Sequence, residues 1–152
     1  MWKYKGKEVK SIEDLPENAH GFVYLIKNTV TDKFYVGKKN LVSVTNKPLT
    51  KKELSEITDK RKSKKKQVIK ESNWMSYWGS NKELLSDIKE YGQDKFERTI
   101  LKVCFSKKEL TYYEIHQQCV YNVLITNSYN DNILGKFYRK DLHFPDSGVI
   151  FN

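Results

Sequence analysis

The chemistry available to this chain of 152 residues is concentrated in few places. Twelve basic residues lie between Lys38 and Lys70 against only Glu53, Glu56 and Asp59, a local charge of +9. The remaining residues balance at 16 basic and 16 acidic, so the net charge of +9 belongs to that one segment. A neutral globule with a concentrated positive segment is suited to a polyanion, of which nucleic acid is the commonest. Its densest run is Lys60, Lys62, Lys64, Lys65 and Lys66 around Arg61. Tyr24, Tyr35 and Glu114 are polar groups set beside apolar neighbours. On a phosphodiester such groups have defined uses: a carboxylate can hold one hard cation, and that cation neutralises phosphate and leaving-group charge while lysine or arginine shares the load. A tyrosine hydroxyl, with a reference pKa near ~10, is a base at neutral pH only where positive charge lowers that value. Lys38 is near enough in sequence to help. The same residues have plainer uses, as a packed aromatic pair, a rim carboxylate and a solvated loop.

The elements that must position these groups follow from local pattern. Phe22–Ile26 and Phe34–Val36 read as a hairpin, with Tyr24 opposite Tyr35, Leu25 against Phe34, Val23 against Val36, and a four-residue loop at 28–31. Both tyrosines then share one face. Thr50 and Glu53 form a capping box with Leu49 and Leu54 as a staple, opening a short helix. The Lys60–Lys66 run has nothing to bury and should be a mobile loop unless anions order it, with order resuming at Trp74. Ser80 and Glu83 box a second helix carrying Leu84, Leu85, Ile88 and Tyr91, stopped by Gly92. Phe96–Cys104 reads as a strand, and Ser106 opens a third helix running to about Asn122 with Tyr112, Ile115, Cys119 and Val123 as its core stripe. Glu114 borders that apolar surface. Trp74, Tyr77 and Trp78 are expected in the core rather than stacked on bases. The order β-β-α-α-β-α describes a small α+β sandwich, an antiparallel three-stranded sheet flanked by helices. Residues 1–20 read as an N-terminal extension, 21–135 as the domain with a basic insertion at about 38–73, and 136–152 as a tail.

Composition excludes several classes. Apolar residues at 38% and aromatics at 13% argue for a packed globule. No apolar run is long enough for a membrane span and no signal peptide opens the chain, so a cytoplasmic protein is expected. Cys104 and Cys119 fit no disulfide framework, and His20, His116 and His143 lack zinc spacing. His116, two residues from Glu114 on a helix, points elsewhere.

Phe22-Val23-Tyr24, ten residues, then Tyr35-Val36-Gly37, followed by a capped helix, a strand and a helix bearing Glu114, resembles the GIY-YIG nuclease superfamily. The resemblance spans roughly residues 21 to 135. Gly37-Lys38-Lys39, Trp74-Met75-Ser76-Tyr77-Trp78-Gly79-Ser80 and Tyr112-Tyr113-Glu114 make it closest to standalone phage-type endonucleases. It implies a metal-dependent DNA endonuclease using one Mg²⁺ (or Mn²⁺) on Glu114, leaving 5′-phosphate and 3′-hydroxyl ends. It implies that one of Tyr24 and Tyr35 activates water while the other orients water or phosphate, that Gly37 allows close backbone approach, and that Lys38 matches a lysine after that glycine. Asn130 matches a late Asn, with Asn132 its near competitor. It further implies DNA as partner, carried by Lys39, Lys60, Lys62, Lys64, Lys65 and Lys66, a monomer in the first instance, and the host cytoplasm if phage-encoded. The chain departs from the pattern twice: Phe22 replaces the first Gly of the first triplet, and the helix arginine is missing, leaving Lys38, Lys39 and Arg61 as candidate cations. A catalytically silent nucleic-acid-binding module on the same scaffold is the alternative, and a basic RNA-binding protein a third.

Overall fold

The computed structural model describes residues 1–56 and 65–143. Its strands are β1 (Trp2–Tyr4), β2 (Lys7–Glu8), β3 (Gly21–Asn28), β4 (Phe34–Asn40), β5 (Val42–Pro48), β6 (Lys65–Glu71), β7 (Phe96–Cys104), β8 (Asn132–Ile133) and β9 (Phe137–Tyr138); its helices are α1 (Lys51–Ser55), α2 (Lys82–Tyr91) and α3 (Lys107–Val120). The expected three-stranded antiparallel sheet is present as β7-β3-β4, and β1 and β2 extend it to the five-stranded order β2-β1-β7-β3-β4. The α+β class holds. β1 runs parallel to β7, so the sheet is mixed, and residues 1–20 are not an extension preceding the core. Trp2, Val9 and Leu15 are buried in it, and the Trp2 indole N–H donates to the Trp74 carbonyl at 2.9 Å. Trp2-Lys3-Tyr4 gives an alternation too short to be read as a strand.

The sheet separates two apolar layers. Phe22, Tyr24 and Ile26 of β3 pack with Trp2, Trp74, and Leu84 and Ile88 of α2. Val23 and Val36 pack on the other face with Leu110 of α3, Val123 and Leu124. Period-two alternation along β3 therefore assigns Tyr24 to the α2 side and Val23 to the α3 side. α2 is capped by Asn81 rather than Ser80, its side chain accepting from the Leu84 N–H at 2.9 Å, and ends at Gly92 with φ +92°, a left-handed conformation that glycine adopts without strain. Leu85 and Tyr91 are exposed.

The hairpin register differs from expectation by two residues. Tyr24 lies opposite Gly37, Leu25 opposite Val36 and Ile26 opposite Tyr35, with the turn closed by Asn28 N–H on the Lys33 carbonyl at 2.8 Å. The loop is thus 29–32, stabilised by the Asn28 side chain accepting from Val30 N–H and by Asp32 at φ 61°. An even shift preserves faces, so the tyrosines still share one. The α3 stripe is also displaced: Tyr112 and Cys119 are exposed while Leu110 and Gln118 are buried. The inward line is Leu110, Glu114, Gln118 at four-residue spacing, two of the three polar because it faces the β4 edge.

The insertion carries a two-stranded antiparallel ribbon, β5 with β6, so regular structure is present at Lys65–Glu71, ahead of the expected Trp74. Its ends meet, since Ser72 N–H donates to the Leu41 carbonyl at 2.9 Å. Lys65 and Lys66 belong to β6, whereas Lys60, Arg61, Lys62 and Lys64 lie outside the described residues. α1 has the expected capping box of Thr50 and Glu53.

Candidate active site at the edge of the sheet

β4 is the outer strand, and an unpaired strand edge exposes backbone donors and acceptors. Here the outward groups are met by side chains. Asn130 accepts from the Val36 N–H at 3.0 Å and donates to the Val36 carbonyl at 2.8 Å, while Gln118 donates to the same carbonyl at 3.1 Å. One strand step on, the Lys38 backbone N–H donates to the Glu114 carboxylate. Phe34 continues the pattern with the 127–129 segment, its N–H reaching the Asn127 carbonyl and its carbonyl accepting from Tyr129 N–H at 2.7 Å.

This clamp leaves a cleft of about 230 Å³ lined by Tyr35, Asn81, Glu114, Gln118, Asn130, Asp131, Asn132 and Leu134. Burial raises the Glu114 pKa, opposed by the Lys38 charge and its backbone N–H. Burial pushes Tyr35 to about 12, with Glu114 adding to the rise and a side-chain hydrogen bond to Ser80 opposing it. Tyr24 is raised well above the ordinary phenol value, first by burial and then by Tyr35 and Tyr77. Both phenols are protonated at neutral pH in the metal-free protein. Tyr24 lies beside the cleft rather than in it: it is 1% exposed, with its ring 6.1 Å from Tyr35 and 6.0 Å from Tyr77. A Cβ at Gly37 would stand 2.7 Å from the Tyr24 hydroxyl and 2.7 Å from the Tyr35 ring, so the glycine is the space in which the two rings meet.

The two lysines after Gly37 part company because β4 runs on through Asn40. Lys38 does not turn toward the tyrosines. It lies on the α3 side, its ammonium donating to the Thr111 hydroxyl at 3.0 Å. Lys39 lies on the tyrosine side with Nζ 4.2 Å from the Tyr77 ring centre. Both late asparagines line the cleft: Asn130 is buried and bound to Val36, and Asn132 is half-buried and accepts from Gly135 N–H at 2.8 Å. His116 stacks on Tyr112 on the outer side of α3. Trp74 is buried, and Trp78 covers the Arg98 guanidinium at 4.0 Å.

Several residues of the site carried no functional expectation from the sequence: Tyr77, read as core, Ser80, read as a helix cap, and Gln118, Asp131 and Arg139. Gln118 follows Glu114 by four residues, and that helical spacing was the available signal. Arg139, in the segment read as a tail, donates to the carbonyls of Val123, Leu124, Thr126, Ser128 and Asn130 at 2.8 to 3.3 Å, fixing the loop that carries Asn130 and Asn132.

The donor set is hard oxygen throughout: the carboxylates of Glu114 and Asp131 and amide oxygens beside them. Such a set fits Mg²⁺, which takes one or two carboxylates and keeps several waters. Among the described residues no group of three or more His, Cys, Asp or Glu side chains could hold a metal, and no helix is long and apolar enough to cross a membrane. A family model described as "Putative endonuclease segE, GIY-YIG domain" matches residues 2–142. No curated protein and no solved structure matches the chain.

Proposed function

We propose that this chain, which belongs to the GIY-YIG endonuclease family over residues 2–142, hydrolyses DNA phosphodiester bonds with one divalent ion, Mg²⁺ by choice, held on Glu114. The observation that carries this reading is the half-buried Glu114 carboxylate fixed by the Lys38 backbone N–H at the mouth of a cleft shared with Tyr35 and Asn132. Fixing the carboxylate on backbone, rather than on a long side chain, preorganises the ligand before substrate arrives.

When bound, the ion supplies positive charge to the phosphate and the leaving oxygen. The chain's residues supply position. Tyr35, protonated at neutral pH and lining the cleft, orients the attacking water or a phosphate oxygen through its hydroxyl; Asn132 offers an amide to the same space. Tyr24, screened from solvent, holds Tyr35 in place. Gly37 leaves the space in which the two tyrosine rings meet. Asn130 acts through Val36 by fixing β4. Lys39 and the lysines of the ribbon draw the polyanion in. The ribbon has a groove-compatible form, since a two-stranded β-ribbon fits the major groove of duplex DNA.

Supercoiled plasmid incubated with the purified chain and Mg²⁺ should be cut, and EDTA or Glu114→Ala should stop cutting. One chain with one site should give a nicked form before linear product. Cleavage that persists in EDTA and in Glu114→Ala overturns the reading, and duplex binding without any cleavage favours a silent binding module.

A further inference from the structure

We propose that Tyr77 and Lys39 are positioning residues for Tyr24: Tyr77 fixes the direction of the Tyr24 hydroxyl, and Lys39, seated on the Tyr77 ring, opposes negative charge gathering at the tyrosines. The inference rests on the nuclease reading above and assigns it the cation on the tyrosine side of the sheet.

The Tyr24 hydroxyl sits in a narrow place. A Cβ at Gly37 would be 2.7 Å from it and one at Gly79 3.6 Å, so backbone closes two sides. Toward Tyr77 it finds a polar partner: the two rings meet edge to face, 6.0 Å apart at 82°, and the Tyr77 phenol acts on Tyr24. Tyr77 is partly exposed, which makes it the route by which buried Tyr24 communicates with the surface. Tyr77 is itself held from behind: Arg98 donates to its carbonyl at 2.7 Å and to the Met75 carbonyl at 3.1 Å. That guanidinium is sandwiched between Trp2 at 4.6 Å and Trp78 at 4.0 Å. A residue anchored at its backbone by a packed arginine has little freedom to swing its ring.

Lys39 completes the arrangement. Strand alternation puts it on the face of Tyr35 and Gly37, and its ammonium stands 4.2 Å from the Tyr77 ring centre, within cation–π range. Lys38 is directed to Thr111 instead. A cation placed on the ring of a tyrosine packed edge to face against a second tyrosine lowers the electrostatic cost of charge on either hydroxyl or on a phosphate beside them.

Single-turnover cleavage of saturating duplex with Mg²⁺ tests this. Tyr77→Phe keeps the ring and the seat for Lys39 while removing the hydroxyl, and should slow turnover roughly 10- to 100-fold, the scale of a small misplacement of reacting groups, with duplex affinity and melting temperature unchanged. Because Tyr77 acts through Tyr24, the Tyr24→Phe/Tyr77→Phe double variant should be no slower than Tyr24→Phe. Lys39→Gln should slow turnover, and Lys39→Arg should restore it. A Tyr77→Phe rate equal to the parent's, or a double variant showing the full product of the two losses, overturns the proposal. An independent readout separates it from the nuclease reading: with tyrosines labelled at Cζ, the Tyr24 resonance in EDTA should move in Tyr77→Phe. An unmoved resonance overturns the pairing even in an active enzyme; a moved one in a chain that cuts nothing sinks the nuclease reading alone.

Discussion

β4 and the ribbon that follows it are one stretch of chain treated in opposite ways. At β4 the outward backbone groups of Val36 and Lys38 are taken up by Asn130, Gln118 and Glu114, and the strand is covered on both faces. In the ribbon, beyond the half-buried Val42, β5 is exposed from Ser43 through Pro48, with Val44 49% and Ile69 67% accessible. Lys47 lies opposite Lys66 in the register and Lys70 lies four pairs along, and like charges opposite one another are unfavourable until an anion intervenes. Where backbone is fully partnered the molecule can hold atoms to a fraction of an ångström. Where it is a cationic ribbon closed at its base it can attract and adapt. Turnover should therefore depend on the first region and affinity on the second.

The sharpest test removes chemistry from the clamped edge alone. Glu114→Gln should abolish cleavage while leaving duplex affinity within a few fold, because none of the +9 segment is touched; an active variant breaks the comparison. The converse test excises 43–70 and joins Val42 to Glu71 through an Asn-Gly turn, which the Ser72–Leu41 hydrogen bond should tolerate. If about six phosphate contacts are lost, the parent's roughly 10³-fold fall in affinity between 50 and 200 mM salt should flatten, with single-turnover rate at saturation preserved. Equal losses of rate and affinity would show the regions to be one.

Smaller effects sharpen the boundary. Asn130→Ala leaves the Val36 N–H without its partner and should cost about 1–3 kcal/mol by urea unfolding, with turnover falling at unchanged affinity. Replacing Glu114 should also alter the metal-free fold. Its folded pKa is raised by burial, so the stability it contributes is present below the unfolded carboxyl's value and is lost as pH rises through the folded one. Metal-free Glu114→Gln should then melt above the parent at pH 7, and the gap should close as pH falls below the ordinary carboxylate range. A parent that remains the more stable at pH 7 would contradict the burial.

Much of this was legible in sequence because it rests on local rules. Phe96–Cys104 and the cap at Ser106 follow from strand composition and cap chemistry. The tyrosines' shared face survived a register error because faces repeat every two residues. What escaped was long-range. β1 is three residues long and gains its identity from pairing with β7. The ribbon is a polar strand pair carrying lysines where a strand pattern would show apolar alternation. Arg139 and Gln118 earn their places from carbonyls distant in sequence, and Tyr77 from a hydroxyl 53 positions away.

The smallest effect is expected at the lysine that the family pattern marks most plainly. Lys38 touches the site in two ways, and only one depends on its side chain. Its backbone N–H holds the Glu114 carboxylate, and any residue but proline supplies that donor. Its ammonium is bound to Thr111 on the α3 side, away from both tyrosines, and acts on Glu114 only through charge, which favours the ionised carboxylate. Lys38→Ala keeps the first and removes the second. The Glu114 pKa should rise, so the deprotonated form needed to hold a divalent ion becomes scarcer at low pH. Single-turnover rate at saturating duplex and Mg²⁺ should be within about threefold of the parent at pH 8, and the loss should widen as pH falls toward 5.5, the direction set by removing a nearby positive charge from a carboxylate. A loss independent of pH would instead place the ammonium against phosphate during turnover, and with it the division between a clamped edge that positions and a ribbon that attracts would have to admit a cation that leaves its seat on α3.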